Sequence, residues 1–263
     1  MTSVAAAPAG RGVPAGTPAL ELEGVSASYG SYRALFDVTF SIPAAGATAL
    51  IGSNGAGKST VARVVTGLLR SSQGTIRLNG ADITGEPAYR IARLGCAHVP
   101  EERGVFARLT VEENLKLRFR QTLGRGGVHD ALERAYDAFE ILSKRRGQQA
   151  GTLSGGEQRI LSLAKVLVAP PRLLIADELS LGLAPAVIDA IYDGLRRINA
   201  TGASLLVVEQ QVDRVLALAA TAVVLEHGST IYVGPTSGAL AAAERPLASR
   251  RERDSSGGPT PPA

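Results

Sequence analysis

Apolar and polar positions alternate along the early part of the chain with the period of a strand. In LELEGV (20–25) and FDVTFSI (36–42) apolar side chains recur at every second residue, which predicts strands with one buried face. IRLNGADI (76–83) places Asn79-Gly80 between β-prone flanks, a hairpin signal. Four apolar runs of strand length follow a different rule: ATALIG, LGCAHV, RLLIAD and ASLLVVE are apolar almost throughout, as parallel strands buried on both faces are. Helical patterns follow most of them, in STVARVVTGLL, PAVIDAIYDGLRRI and VDRVLALA. The alternation predicts an α/β fold with a mostly parallel central sheet. A last hairpin, AVVLEHGSTIYV, turns at His227-Gly228.

The stretch from about 102 to 168 is different. It carries helical patterns (VEENLKLRF, VHDALERAYDAFEILSK, GEQRILSLAKVLV) and no convincing strand, and reads as a helical insert between two halves of the α/β core. Residues 1–18 and 244–263 are rich in Ala, Pro, Gly, Ser and charge. They are too poor in apolar surface to offset ordering entropy, so both are expected to be flexible tails around a folded part of about 19–243.

Composition narrows the options. Of 263 residues, 45% are apolar and 20% charged, ordinary globular usage that supports a sizeable core. The net charge is +4, without a dense basic run in the folded part, and aromatics are 4%; nucleic-acid binding is not indicated. The longest apolar stretch, VLALAATAVVL, has 11 residues, short of the roughly 20 a membrane-spanning helix needs. The first residues contain no apolar core of a secretory signal. A single cysteine, Cys96 in LGCAHV, excludes an intramolecular disulfide and reads as a buried, inert thiol.

The chemistry begins at Gly52-Ser53-Asn54-Gly55-Ala56-Gly57-Lys58-Ser59, which matches G-x-x-x-x-G-K-[ST] between an apolar strand and a helix that opens through Thr60. Glycines let successive backbone N–H groups point inward and form an anion-binding nest at a helix start. Lys58 then reaches the β- and γ-phosphates, and the Ser59 hydroxyl ligates Mg²⁺. A nucleoside triphosphate is the expected ligand. RLLIAD ends in Asp177, 119 positions beyond Lys58, and Glu178 follows directly as an adjacent carboxylate. A strand's C-terminal end is where open α/β sheets bind ligands, so Asp177 is expected to hold Mg²⁺ and Glu178 to polarise the attacking water. Phosphate loop and acidic strand together still fit kinases, GTPases and many ATPases.

LSGGEQRILSLAKVL (153–167) supplies the discrimination. The run that begins at Leu153, 19 residues before the acidic strand starts at Arg172, places Ser154, Gly155 and Gly156 at a helix start, a second ready-made phosphate site. One chain does not need two such sites for one nucleotide. A head-to-tail pair does, each turn capping the ATP held by the other chain.

With these motifs in this order and spacing, the chain strongly resembles the ATP-binding cassette (ABC) ATPase family over nearly all of 19–243. The resemblance implies a P-loop NTPase (RecA-like) core with an N-terminal antiparallel β portion and a helical subdomain, ATP and Mg²⁺ as ligands, and a second cassette as partner, in a homo- or heterodimer. It implies integral membrane permease subunits, with the chain at the cytoplasmic face of the membrane. Tyr29 matches the residue that stacks on adenine, and Ser180–Pro185 the dimer-contact loop. Glu101 stands where a glutamine touching Mg²⁺ is usual, and Gln210 where a switch histidine is usual. Ala184 replaces an aspartate of the contact loop, and Leu179 the proline after the catalytic glutamate.

VPE-x-RGVF-x-RLTVEENL with SLGLAP and VVEQ is similar to one of the two ATPase subunits of bacterial branched-chain amino acid importers, which implies a substrate-binding protein as indirect partner. That similarity accounts for Glu101, Gln210 and Ala184 but not for Leu179. Glutamine can hydrogen-bond a phosphate but cannot become cationic, so turnover without a histidine-type inflection near roughly pH 6 to 7 is expected. Other readings are a soluble ABC protein acting on ribosomes or DNA, an energising subunit for another small solute or an exporter, and an inactive regulatory cassette.

Overall fold

The computed structural model describes residues 16–100, 104–210 and 212–244. The expected tails, apart from residues 16–18 and 244, and the position Glu101 lie outside the described residues. In chain order the elements are β1 (Leu20–Tyr29), β2 (Tyr32–Ile42), β3 (Ala47–Ile51), α1 (Lys58–Val65), β4 (Ser71–Leu78), β5 (Ala81–Asp82), α2 (Ala88–Arg93) and β6 (Cys96–Val99). Then follow α3 (Val111–Leu123), α4 (Val128–Ala138), α5 (Glu140–Lys144), α6 (Gly155–Leu167), β7 (Leu173–Asp177) and α7 (Pro185–Ala200). The chain continues through β8 (Ser204–Glu209), α8 (Val212–Leu218), β9 (Thr221–Glu226), β10 (Ser229–Pro235) and α9 (Thr236–Glu244).

Two sheets result. An antiparallel sheet has the order β2-β1-β4-β5, and a second sheet the order β10-β9-β3-β8-β7-β6. In the second, β9, β3, β8, β7 and β6 are mutually parallel, and only β10 is antiparallel, to β9. The apolar runs are strands buried on both faces, as expected. Ala49, Ile51, Leu174, Ala176, Leu205 and Val207 face one core, packed under α3 to α7. Leu50, Leu173, Ile175, Leu206 and Val208 face the other, filled by α1 (Val61, Ala62, Val64, Val65) and the antiparallel sheet. This packing places α1, with Ala56 of the loop before it, between the two sheets.

Both predicted hairpins form. Asn79 and Gly80 have φ +50° and +79°, and His227 and Gly228 have φ +46° and +78°, the paired left-handed residues of a type I′ turn. Two helical readings need correction. STVARVVTGLL is helical only to Val65, because Gly67 turns the chain at φ +71° where a Cβ would sit 2.6 Å from the Glu86 carbonyl oxygen. VHDALERAYDAFEILSK is two helices, broken at Phe139 (φ −139°, ψ 86°), whose ring is thereby buried in the core. Among the described residues, 104–168 contains only helices and one isolated bridge, Thr110 to Gln149. Cys96 is buried, and burial pushes its thiol up to about 12.

Candidate nucleotide site

Three strand ends converge. β3 delivers the Gly52–Ser59 loop, β7 delivers Asp177 and Glu178, and β8 delivers Gln210; β7 and β3 flank β8 in the sheet. The loop is held from outside itself. A Cβ at Gly52 would lie 2.3 Å from the Leu225 carbonyl oxygen of β9, so only glycine fits there. The Gly228 N–H donates to the Ala56 carbonyl at 2.9 Å, so the β9–β10 turn props the loop's far side. Ser53, Asn54 and Gly55 form an exposed tip, and Thr60 is buried in α1. A cavity of about 350 Å³ opens beside Gly52, Ser53, Asn54 and Gln210, towards β9 and β10.

Lys58 is 4% exposed. Its ammonium donates to the carbonyls of Gly52 (2.9 Å) and Ser53 (3.1 Å) and lies 3.4 Å from Glu178 Oε1. Glu178 Oε2 accepts from Gln210 Nε2 at 2.9 Å. The Ser59 hydroxyl donates to Asp177 Oδ1 at 3.2 Å. The structure thus brings Lys58, Ser59, Asp177, Glu178 and Gln210 into one cluster. A hydroxyl and a carboxylate side by side are hard oxygen donors of the kind Mg²⁺ takes in small number beside phosphate oxygens. The described residues contain no group of three or more His, Cys, Asp or Glu able to cage a metal alone.

Tyr29 ends β1, 40% exposed, and its hydroxyl accepts from Arg63 Nη1 of α1 at 3.1 Å. Its ring therefore stands beside the helix the phosphate loop opens. Ser154 caps α6 in a capping box: its hydroxyl accepts from the Glu157 N–H at 3.3 Å, and its own N–H donates to the Glu157 carboxylate at 2.8 Å. Ser154 and Gly155 are exposed, with open space where a Gly155 Cβ would be. Among the described residues this turn makes no hydrogen bond to the phosphate loop.

Three features escaped sequence reasoning. His98 Nε2, on β6, lies 3.8 Å from Asp177 Oδ2, a pairing set by neighbouring parallel strands. Glu209 is 2% exposed and accepts from the Ser180 N–H (3.1 Å) and hydroxyl (2.7 Å). Burial raises its pKa, opposed by the Ser180 hydrogen bonds and the Gln210 N–H, while the Glu178 charge adds to the rise. Arg159 of α6 donates to the carbonyls of Leu179 (3.0 Å) and Leu181 (2.6 Å). Only the buried acid in an apolar strand could have drawn notice beforehand.

Residues 35–180 match the ABC transporter family. The chain is 39% identical over 212 residues to the high-affinity branched-chain amino acid transport ATP-binding protein BraG of Pseudomonas aeruginosa, covering 81% of this chain and 91% of that protein. It is 37% identical to the probable branched-chain amino acid transport ATP-binding protein LivF of Archaeoglobus fulgidus, covering 80% and 89%. It is also 31% identical to the lipopolysaccharide export system ATP-binding protein LptB of Haemophilus influenzae, covering 82% and 90%. A solved ATP-binding subunit of an ABC transporter superposes with a TM-score of 0.76 at 26% identity, covering 89% of this chain and 98% of that one. No helix among the described residues is long and apolar enough to cross a membrane. The chain belongs to the ABC transporter family: it is an ATP-binding subunit that hydrolyses ATP to drive transport.

Proposed function

We propose that this chain energises an importer of branched-chain amino acids from the cytoplasmic face of the membrane. Its proposed partners are a second cassette, two permease subunits and, indirectly, a substrate-binding protein. The cassette is assigned to residues 19–243, with its helical part at about 102–168. The observation that carries the catalytic reading is the Glu178 carboxylate, held between Lys58 (3.4 Å) and Gln210 (2.9 Å) beside the Ser59–Asp177 pair. The substrate class rests on the likeness to BraG and LivF.

In this reading the N–H groups of residues 52–60 cradle the phosphates, and the ring of Tyr29 stacks on the adenine, worth about 1–3 kcal/mol. Lys58 leaves its loop carbonyls for the β- and γ-phosphates. Ser59 and Asp177 hold Mg²⁺, which when bound neutralises developing charge on the phosphoryl oxygens. Glu178 takes the proton of a water whose oxygen attacks the γ-phosphorus, the bond to the β–γ bridging oxygen breaks, and ADP and phosphate leave. Gln210 orients Glu178 and the water. The partner's Ser154, Gly155 and Gly156 complete the site from across the dimer.

Glu178→Gln keeps shape and removes the base. It is expected to bind ATP with unchanged affinity, pair in ATP, and turn over at least about a hundredfold more slowly. Retained turnover rejects Glu178 as the base. For the substrate, the chain is assembled with its permeases in vesicles and ATPase stimulation by leucine-loaded binding protein is measured. Stimulation by an outgoing lipid instead, with no response to branched-chain amino acids, rejects the importer reading.

A further inference from the structure

Glu209 departs from the strand that carries it. Its predecessors in β8 are all apolar but Ser204, and all are buried, yet the strand ends in a carboxylate that is also buried. A charge there requires donors. Ser180 supplies two, its N–H to Oε1 and its hydroxyl to Oε2, and Ser180 is itself 1% exposed. The pair closes a bracket around the residue that does the chemistry. On the near side the Glu178 N–H donates to the Val208 carbonyl of β8 at 2.9 Å; on the far side Ser180 is held by Glu209 of the same strand. Between them Glu178 has φ +48°, a left-handed conformation that residues with a Cβ avoid and that persists only where the surroundings impose it.

Leu179 now has a physical account. The proline usual in the family would stiffen this turn covalently. Here Leu179 is buried, its carbonyl is held by Arg159, and the next residue is clamped by Glu209.

We propose that Glu209 is a positioning residue for ATP hydrolysis: acting through Ser180, it imposes the left-handed turn at Glu178 and so aims the Glu178 carboxylate between Lys58 and Gln210. The inference rests on Glu178 being the base. Glu209 touches neither the nucleotide nor the water in this assignment. Its removal loosens the direction of the base and leaves the phosphate loop as it is, so kcat falls while ATP affinity holds.

The test uses the full chain and six variants: Ser180→Ala, Ser180→Thr, Glu209→Ala, Glu209→Gln, the double variant Ser180→Ala/Glu209→Ala, and Glu178→Gln. Steady-state ATPase gives kcat and KM, equilibrium binding of a fluorescent ATP analogue gives affinity and the fraction of competent sites, and thermal unfolding reports folding. A hydrogen bond to a charged group, lost in full at the transition state, corresponds to roughly a ten- to hundredfold rate change. Glu209→Ala is expected to lower kcat per competent site at least about thirtyfold, and Ser180→Ala and Glu209→Gln about five- to tenfold, with affinity within about twofold throughout. Ser180→Thr, which keeps both donors, is expected to retain at least about half the parent kcat, and the double alanine variant to be no slower than Glu209→Ala alone.

Should Glu209→Ala fail to fold, Ser180→Ala and Glu209→Gln decide. Parent-like kcat in both, additive losses in the double variant, or kcat falling only in step with competent sites overturns the proposal. Glu178→Gln separates the two levels: silent Glu178→Gln with active clamp variants rejects only the clamp, whereas active Glu178→Gln rejects the base assignment itself.

Discussion

Gly228 is a position where shape and function meet, and replacing it with alanine should show this. Its φ is +78°, and a Cβ built on it would lie 2.3 Å from the Ala34 carbonyl oxygen and 2.9 Å from the Phe36 ring. The left-handed backbone alone costs an alanine about 1–2 kcal/mol. Forcing a methyl against a backbone oxygen of β2 shifts the β9–β10 turn, at about 1–3 kcal/mol more. Gly228→Ala is therefore expected to lose about 2–5 kcal/mol, and its melting temperature to fall by roughly 2–4 °C for each of them. Gly202→Ala is the control: φ is +90°, with nothing within 4 Å of the added carbon, so only the handedness cost of about 1–2 kcal/mol applies.

The functional half of this prediction follows from the Gly228 N–H, which supports Ala56 of the phosphate loop at 2.9 Å. Weakening that bond, worth about 1 kcal/mol, should loosen ATP binding by roughly fivefold. Urea unfolding of the three proteins, with ATP titration of the folded state, measures both quantities. If Gly228→Ala is no less stable than Gly202→Ala and binds ATP as the parent does, the hairpin does not prop the loop.

Burial, reinforced by Arg118, lowers the Lys165 pKa from 10.5 to about 8. The unfolded chain then holds the extra proton between about pH 8 and 10.5, so this group makes stability rise with pH across that window; urea midpoints should lose that rise in Lys165→Met, and an identical rise in both proteins refutes the assignment. Cys96, with its thiol pushed up to about 12, should resist a thiol reagent at roughly pH 8 while urea-unfolded protein is labelled completely; rapid native labelling contradicts its burial. Ser154→Ala removes a helix cap, costing about 1 kcal/mol, and should leave ATP affinity of the solitary chain unchanged while weakening ATP-dependent pairing in the Glu178→Gln background. A loss of affinity in the solitary chain would place Ser154 in its own chain's site.

Local signals were enough for the sheet, the hairpins and the phosphate loop. Runs such as LLIAD and SLLVVE announce doubly buried strands, and Asn79-Gly80 and His227-Gly228 announce turns, because in each the deciding physics lies within a few residues. The helix break at Phe139 was not legible: VHDALERAYDAFEILSK keeps a helical period through it, and only the core into which the ring turns decides the outcome. The Glu209–Ser180 and His98–Asp177 contacts join residues 29 and 79 positions apart across adjacent strands. No pattern along the chain encodes which strands become neighbours.

Arg159 ties one turn of α6 to the two carbonyls flanking Ser180. The helix that the exposed Ser154 caps and the turn that carries Glu178 beyond β7 are therefore joined through one guanidinium, as a lever is at its fulcrum. Were a neighbouring cassette's triphosphate to draw on the serine, the tilt would arrive within the same molecule at Glu178. In a pair of such levers, what each subunit holds would bear on how readily the other one fires.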